Sequence, residues 1–225
     1  MRPDVARMRR TGFPEVVMAE GKEPEEVEKA LEKLVKADGI GIASRVDEDT
    51  AESIDTSWAH ETEYDPVGRV LVVKSEGYEP PYPDARLAVV TAGTSDEPYA
   101  RECAKIAEAL GADVLLERDA GVAGLHRLLT SLRRVERHDP HAVVAVAGMD
   151  GTMPVVLASL TDVPVIGLPT PTGYGIGGSG EAALKGMLQS CVPGLLVVNV
   201  GNGVGAAAAA LRIARIATTE RRKNR

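Results

Sequence analysis

Five short apolar runs stand out in the second part of the chain, at positions 87–90, 113–116, 142–147, 163–168 and 195–200. Amphipathic segments with helical spacing separate these runs. Continuous apolar runs that alternate with helices are typical of parallel strands buried on both faces, and right-handed crossovers join such strands into a doubly wound sheet. We therefore predict an α/β core over about residues 87–217.

The segments between the runs predict helices with small or aliphatic inward faces. The first helix places Ala100, Cys103, Ala104 and Ala107 on that face, and the second, led by Gly121, places Val122, Leu125, Leu128, Leu129 and Leu132 there. An alanine-rich helix follows the last strand. The expected fold is a mainly parallel, flavodoxin-like sheet, and in such sheets ligands bind beyond the carboxyl ends of the strands.

The first 77 residues predict a smaller unit of mixed structure. A helix is expected from Pro24, because proline and acidic residues suit a first helical turn, and Gly39 and Gly41 are expected to end it. Val27, Leu31 and Leu34 would form its buried face, and residues 40–46 and 70–73 read as strands.

A proline-rich stretch separates the two parts. Three prolines among residues 80–83 cannot continue a helix or a central strand. We predict a small N-terminal α/β module at 1–78, a catalytic domain at 84–219 and a charged tail at 220–225.

Composition narrows the classes of function. The 225 residues carry a net charge of −7, whereas a general nucleic-acid binder needs a basic face. Aromatic residues make up only 3%, which argues against base-stacking platforms. No apolar run reaches transmembrane length, and the charged first ten residues lack the apolar stretch of a secretory signal. We expect a cytoplasmic protein that binds neither nucleic acid nor membrane.

Glycine-containing loops follow the predicted strands, at 92–96, 119–127, 147–151, 169–180 and 201–203. Glycine lets the backbone approach a ligand, and the helix that follows offers N–H groups to an anion. One such loop is also compatible with a simple capped helix, for which Ser95 or Asp96 is a suitable N-cap. Several of them on one sheet edge predict a phosphate-bearing small molecule.

Polar side chains in these loops supply the candidate chemistry. Asp119 suits a ribose hydroxyl or a metal, and Arg127 suits a phosphate. His126 can transfer protons near neutral pH, although a structural role is equally open. Asp150, between two glycines, suits magnesium or a general base, and a plain turn aspartate is the alternative.

Two cysteines cannot staple a chain of this length, so both are expected as thiols. Cys191 follows a predicted helix at 181–190 and precedes Pro193. A thiol near helix termini is a nucleophile if its thiolate is stabilised. Cys103, on an inward helix face, is expected to be a core residue.

Taken in order, these motifs resemble the LarB family, which builds the nickel-pincer nucleotide cofactor first known from lactate racemase. The resemblance rests on segments 92–96, 121–127, 146–151, 162–166, 173–175, 190–191 and 202–203, and on an opening signature at 9–17 and 21–22. The family shares its core with the aminoimidazole ribonucleotide carboxylases and mutases of purine synthesis. The resemblance covers nearly the whole chain.

The resemblance implies a reaction on nicotinic acid adenine dinucleotide. Its pyridinium ring is carboxylated at C5 by CO2 or bicarbonate, and its phosphoanhydride is hydrolysed. The products are pyridinium-3,5-biscarboxylic acid mononucleotide and AMP. The resemblance also implies a homo-octamer with sites at subunit contacts.

The resemblance further assigns roles to residues. Cys191 is the implied nucleophile, with Asp150 and His126 as further catalytic residues, and Mg²⁺ is implied with Asp150 and then Asp119 as ligands. The implied substrate-binding residues are Gly93, Ser95, Asp96, Asp119, Gly121, Ala123, Gly124, Arg127, Gly148, Gly151, Gly173, Tyr174, Gly175, Asn202 and Gly203.

The sequence departs from the family at several positions. Asp150 stands where members often carry glutamate, and Gly201 replaces the usual aspartate before Asn202. The purine enzymes carry a histidine in the loop that reads Gly-Thr-Met-Pro here at 151–154, which argues against the purine reaction. The alternatives are a purine-type carboxyaminoimidazole ribonucleotide mutase, which needs no cysteine, and a nucleotide-binding module without catalysis.

Overall fold

The computed structural model describes residues 2–223. The chain divides into two compact units, Met1–Pro81 and Tyr82–Arg225. Among the described residues, no helix combines the length and the hydropathy needed to cross a bilayer.

The first unit is a four-stranded mixed sheet with helices. Its elements are α1 (Arg7–Thr11), β1 (Val16–Met18), α2 (Pro24–Asp38), β2 (Ile40–Ser44), α3 (Glu48–Ser53), β3 (Glu61–Asp65) and β4 (Val70–Lys74). The strand order is β1-β2-β4-β3. Strands β1 and β2 are parallel, and the other neighbours are antiparallel.

Helix α2 forms as predicted. It starts at Pro24, and Val27, Leu31 and Leu34 are fully buried in one apolar cluster with strand residues. Gly39 ends the helix in the left-handed conformation, with its N–H donating to the carbonyl of Val35. The prediction that Gly41 also helps to end the helix is wrong, because Gly41 lies inside β2.

The second unit contains the predicted parallel sheet. Its elements are β5 (Arg86–Thr91), α4 (Glu97–Ala109), β6 (Asp113–Glu117), α5 (Leu125–His138), β7 (Ala142–Ala147), α6 (Thr152–Ala158), β8 (Val165–Pro169), α7 (Glu181–Leu188), β9 (Leu195–Val197) and α8 (Gly203–Lys223). The strand order is β6-β5-β7-β8-β9, and every pairing is parallel. Numbered within this unit, the order is 2-1-3-4-5, which is the flavodoxin-like order.

Helices cover both faces of this sheet. Helices α4 and α8 pack together on one face, and α5, α6 and α7 lie on the other. Strands β7 and β8 are buried throughout, whereas the edge strands β6 and β9 are only partly buried. The expectation of burial on both faces therefore holds for the central strands and is wrong for the edges, because an edge strand has a neighbour on one side only.

The inward face predicted for the second helix needs correction. The helix begins at Leu125 instead of Gly121, and residues 122–124 form a 3-10 turn before it. Leu128 and Leu132 are buried, but Leu125 and Leu129 are 49% and 42% exposed. The turn shifts the start of the helix, and the buried stripe follows Leu128, Leu132 and Val135.

The last predicted elements are shorter than expected. Helix α7 ends at Leu188 instead of Ser190, and β9 ends at Val197 instead of Val200. The alanine-rich helix α8 begins at Gly203, and its backbone is helical as far as Lys223. The remainder of the predicted tail at 220–225, with its side chains, lies outside the described residues.

Leu128 and Leu129 provide a matched test of the corrected helix face. We expect Leu128→Ala to lower the free energy of unfolding by about 2–5 kcal/mol, because it leaves a cavity in the core. Leu129→Ala should cost about 0.5 kcal/mol or less, as for most exposed sites. Denaturant unfolding measures both. Equal losses would mean that Leu129 is covered in solution.

Candidate functional site

The candidate site lies where the strand order reverses. Strand β5 has β6 on one side and β7 on the other, so the chain leaves neighbouring strands in opposite directions. In open parallel sheets ligands bind beyond the carboxyl ends of the strands at such a point, which here lies at the ends of β5 and β7. The loops that border it are 92–96 and 148–151.

A buried carboxylate ties these loops together. Asp96 is 3% exposed, and its Oδ2 accepts the Gly93 N–H at 3.0 Å while its Oδ1 accepts the Thr170 hydroxyl at 2.7 Å. The backbone of Gly148 also hydrogen-bonds to it. Loops that follow β5, β7 and β8 thus meet at one side chain, which holds the edge of the site in shape.

Asp96 therefore has an internal role that its predicted cap position did not reveal. It directly precedes α4, but its side chain makes no cap hydrogen bond to that helix. Burial raises the pKa of its carboxyl above the usual 3.8, against the lowering effect of its hydrogen bonds to Thr170 and Gly93. Ser95 beside it is exposed, and its carbonyl accepts the Thr172 hydroxyl at 3.3 Å.

Asp150 is exposed on the loop after β7. It has a left-handed backbone, with φ of 63°, and its Oδ1 accepts the Thr152 N–H at 3.0 Å. Helix α7 packs closely on this loop: a Cβ on Gly186 would lie 2.2 Å from the Asp150 carbonyl oxygen. Gly151 is equally constrained, because a Cβ there would lie 2.5 Å from the Ala183 carbonyl oxygen. Two glycines thus fix the position of Asp150.

Asp119 and Arg127 face each other across the loop after β6. Arg127 donates from Nη1 to Oδ2 of Asp119. The Asp119 N–H donates to the Thr91 hydroxyl at 3.2 Å, which joins this loop to the end of β5. His126 and Ala123 are exposed beside this ion pair, and Gly121 and Gly124 are partly exposed.

Asn202 and Gly203, which the sequence predicts to bind substrate, form hydrogen bonds within the chain. Asn202 Oδ1 accepts the Gly205 N–H at 2.8 Å, and Glu102 Oε2 accepts the Gly203 N–H at 2.9 Å. A carboxylate and an amide therefore satisfy N–H groups in the first turn of α8 and complement its dipole. Gly201 has φ of 63°, and a Cβ there would lie 3.2 Å from the ring of Tyr99. An aspartate at this position would be strained.

The glycine-rich loop after β8 leaves aromatic and aliphatic surface exposed. Tyr174 is 79% exposed, and Ile176 is fully exposed. Gly173 and Gly175 adopt positive φ on either side of Tyr174. The Thr172 carbonyl accepts the Met149 N–H at 2.9 Å, so the base of this loop is tied to the Asp150 loop.

Cys191 lies in the connection between α7 and β9. It is exposed and precedes β9, whose first residue, Leu195, pairs with Val165, the first residue of β8. The glycine-rich loops all follow strands. Helix α7, which ends three residues before Cys191, packs on one of these loops, because its Gly186 lies against the Asp150 carbonyl oxygen.

Cys103 is the core residue that the sequence predicted. It is fully buried on α4, and burial raises the pKa of its thiol far above the usual value, with a further contribution from the charge of Glu102. A thiolate is therefore strongly disfavoured at Cys103.

The two carboxylates expected to hold magnesium do not form a metal site by themselves. Within residues 2–223, no group of three or more histidine, cysteine, aspartate or glutamate side chains is arranged to hold a metal ion. Asp119 is paired with Arg127, and Asp150 accepts a backbone N–H. A protein-only Mg²⁺ cage does not fit this arrangement.

Three residues that organise the site were missed in the sequence. Thr170 is buried between two prolines, Glu102 is 5% exposed on α4, and Gly186 lies inside α7. Glu102 had a detectable signal, since it lies one helical turn before the buried Ile106. Thr170 and Gly186 had none, because their roles depend on contacts with distant loops.

The fold and the glycine-containing loops place this protein in the broad class of doubly wound α/β proteins. Comparison with known proteins identifies the family. Residues 86–224 match the AIR carboxylase family, and residues 1–76 match the LarB/PurE-like N-terminal domain. The chain therefore belongs to the LarB family, with a core of the AIR carboxylase type. This confirms the resemblance in the sequence and assigns a carboxylase-type function.

Individual relatives agree with this assignment. An uncharacterized protein of Methanocaldococcus jannaschii is 40% identical over 217 residues, which cover 95% of this chain and 83% of that protein. The N5-carboxyaminoimidazole ribonucleotide mutase of Saccharolobus solfataricus is 31% identical over 91 residues, 39% of this chain and 55% of that protein.

One solved structure is less similar. A solute-binding protein of an ABC transporter from Bradyrhizobium sp. BTAi1, with bound Bis-Tris, aligns with 65% of this chain and 59% of its own. The identity is 17% and the TM-score 0.30, so this likeness carries no argument about function.

The raised pKa of Asp96 predicts a pH-dependent stability. The folded protein binds this proton more tightly than the unfolded chain, so ionisation of Asp96 costs stability as the pH rises above 3.8. We expect the free energy of unfolding of the wild type, relative to Asp96→Asn, to fall across that rise. Denaturant unfolding at a series of pH values measures it.

Glu181 serves as the matched control for that experiment. The side-chain hydrogen bond from Lys185 lowers the pKa of Glu181, so the difference between wild type and Glu181→Gln should have the opposite sign. A pH-independent difference between the wild type and Asp96→Asn would contradict the prediction.

Proposed function

We propose that this protein carboxylates the pyridinium ring of nicotinic acid adenine dinucleotide at C5 and hydrolyses the phosphoanhydride. The products are AMP and pyridinium-3,5-biscarboxylic acid mononucleotide, the first intermediate of nickel-pincer nucleotide synthesis. The membership of both units in the LarB family carries this proposal. The exposed Cys191 supports it, because the reaction needs one accessible thiol.

The carboxylation begins with the thiolate of Cys191 in this proposal. Its sulfur forms a bond to C4 of the electron-poor ring and yields a dihydropyridine, whose enamine makes C5 nucleophilic. C5 then forms a bond to the carbon of CO2. A base takes the C5 proton, the C4–S bond breaks, and the ring becomes aromatic again while the thiolate is released. Cys103 is unsuited to this step because it is fully buried.

The hydrolysis needs an activated water beside the phosphoanhydride. Asp150 is the proposed base, because its exposed carboxylate lies on a loop fixed by α7 at the ligand edge of the sheet. His126, exposed at the start of α5, is the second candidate for proton transfer. Mg²⁺, if it takes part, fits this site only as an ion bound mainly by substrate phosphate oxygens, with Asp150 as protein ligand.

The family resemblance bears on how the site is assembled. Cys191 precedes β9, whereas Asp150 and Arg127 follow strands. We propose that Cys191 of one subunit serves the loops of another, within the homo-octamer with sites at subunit contacts that the family resemblance implies. Exposed apolar side chains of the second unit suit contacts between subunits, among them Leu125, Tyr174, Ile176, Leu188 and Leu196.

The mutase reaction is the second candidate. It is favoured by the similarity to the Saccharolobus mutase, which covers 39% of this chain. The loop at 151–154 carries no histidine, and Cys191 has no part in that reaction. A nucleotide-binding module without catalysis is the third possibility and predicts stabilisation by ligand without turnover.

Turnover distinguishes these three possibilities. Purified protein is incubated with nicotinic acid adenine dinucleotide, bicarbonate and Mg²⁺, and AMP and the biscarboxylated mononucleotide are measured by mass spectrometry. We expect both products from the wild type and no carboxylated product from Cys191→Ala. Cys103→Ala is the matched control and should retain activity. Absence of both products from folded wild-type protein would overturn the proposal.

Subunit mixing tests the shared site. Cys191→Ala and Asp150→Asn are each expected to lack the complete reaction. Co-expressed, they should regain part of it, because some sites then combine an intact Cys191 from one subunit with an intact Asp150 from another. If mixed oligomers form and stay inactive, Cys191 does not act across subunits.

A further inference from the structure

We propose that Asp119 is an internal counter-ion that holds Arg127 in the ligand-free protein and yields it to the phosphate of an incoming ligand. This extends the proposed function from the identity of the reaction to the way in which the anion site is kept ready. It concerns phosphate binding, which can be measured without turnover.

The ion pair is held by the backbone on one side. Asp119 follows β6 with φ of 55°, and its N–H donates to the Thr91 hydroxyl. The next residue, Ala120, donates its N–H to the Thr91 carbonyl at 2.9 Å. These two hydrogen bonds fix the carboxylate at the loop, so the partner that can move is the long side chain of Arg127.

Two glycines leave room for the Arg127 side chain beside their loop. A Cβ on Gly124 would lie 2.7 Å from the Arg127 Nε, and a Cβ on Gly121 would lie 3.9 Å from its Nη2. The same Gly121 position approaches the Ala92 carbonyl oxygen to 2.7 Å. The guanidinium therefore lies along the backbone of the 121–124 loop, next to the 92–96 loop.

The pair is exposed enough to exchange. The Asp119 side chain is 50% exposed and that of Arg127 is 39% exposed. An exposed ion pair contributes little to stability, because water and salt screen the charges and both side chains lose conformational freedom when they pair. A phosphate carries more negative charge than a carboxylate and accepts two parallel N–H bonds from a guanidinium, so it can displace Asp119.

This arrangement has a measurable consequence for affinity. Asp119 competes with an anion for the same guanidinium, and its charge also repels that anion. Removal of the carboxylate should therefore tighten phosphate binding. The weak contribution of exposed pairs sets the expected gain at about two- to fivefold.

The test uses the full chain and inorganic phosphate as the probe. Phosphate is titrated into wild type and Asp119→Asn at low ionic strength, and binding is followed by calorimetry and by the side-chain N–H resonances of Arg127. Asparagine tolerates the left-handed backbone at this position, so the variant is expected to fold. The dissociation constant for phosphate should fall in Asp119→Asn.

A neighbouring ion pair supplies the matched control. Glu97 pairs with Arg118 at 2.7 Å, on the surface of the same unit. Glu97→Gln removes the same charge nearby and should leave phosphate affinity unchanged. If Glu97→Gln tightens binding as much as Asp119→Asn, only general electrostatics is at work and the proposal fails.

Two further variants locate the anion. Arg127→Gln should abolish phosphate binding in the wild-type and the Asp119→Asn background. Gly124→Ala forces only the flexible Arg127 side chain to move, and should weaken binding without unfolding the protein. Phosphate binding that is absent from the wild type and from Asp119→Asn, or weaker in Asp119→Asn, would overturn the proposal. If turnover fails but Asp119→Asn still tightens phosphate binding, the proposed role of Asp119 stands. That result counts against the proposed reaction alone.

Discussion

The candidate site depends on a carboxylate that the fold buries. Asp96 accepts hydrogen bonds from Gly93 and Thr170, residues of loops that follow different strands, and so it fixes the edge at which three strands end. A buried charge is expensive unless it is fully hydrogen-bonded, and a pair of polar groups that satisfies it becomes hard to rearrange. The raised pKa of Asp96 records that cost. The loops are therefore shaped by the protein before any ligand arrives.

Two further acidic side chains accept hydrogen bonds from donor groups in the second unit. Glu102 satisfies the N–H of Gly203 at the start of α8, and Asp119 holds Arg127. The two differ in burial, since Glu102 is 5% exposed and Asp119 is half exposed. A buried pair is permanent, whereas an exposed one can exchange. The start of α8 is thus part of the framework, and Arg127 is the group that remains able to change partner.

The candidate residues of the proposed reaction come from two parts of the second unit. Strand-end loops share one edge of the sheet, and α7 packs on one of them at Asp150, whereas Cys191 follows α7 and precedes β9. In the proposed oligomer, Cys191 serves the loops of another subunit, and exposed apolar side chains such as Leu188 and Leu196 supply contacts between subunits.

The order of strands and helices could be predicted from the sequence, because it follows from local hydrophobic periodicity, and glycine positions marked the ligand edge. The burial of Cys103 was also predictable from its place on a helix of small residues. Other features were decided by the tertiary structure alone. Leu129 and Leu128 are adjacent and chemically identical, and only the exact start of α5 determines which is buried. The partners of Asp96 and Asp119 are distant in the chain or reached across a turn, so no local pattern encodes them.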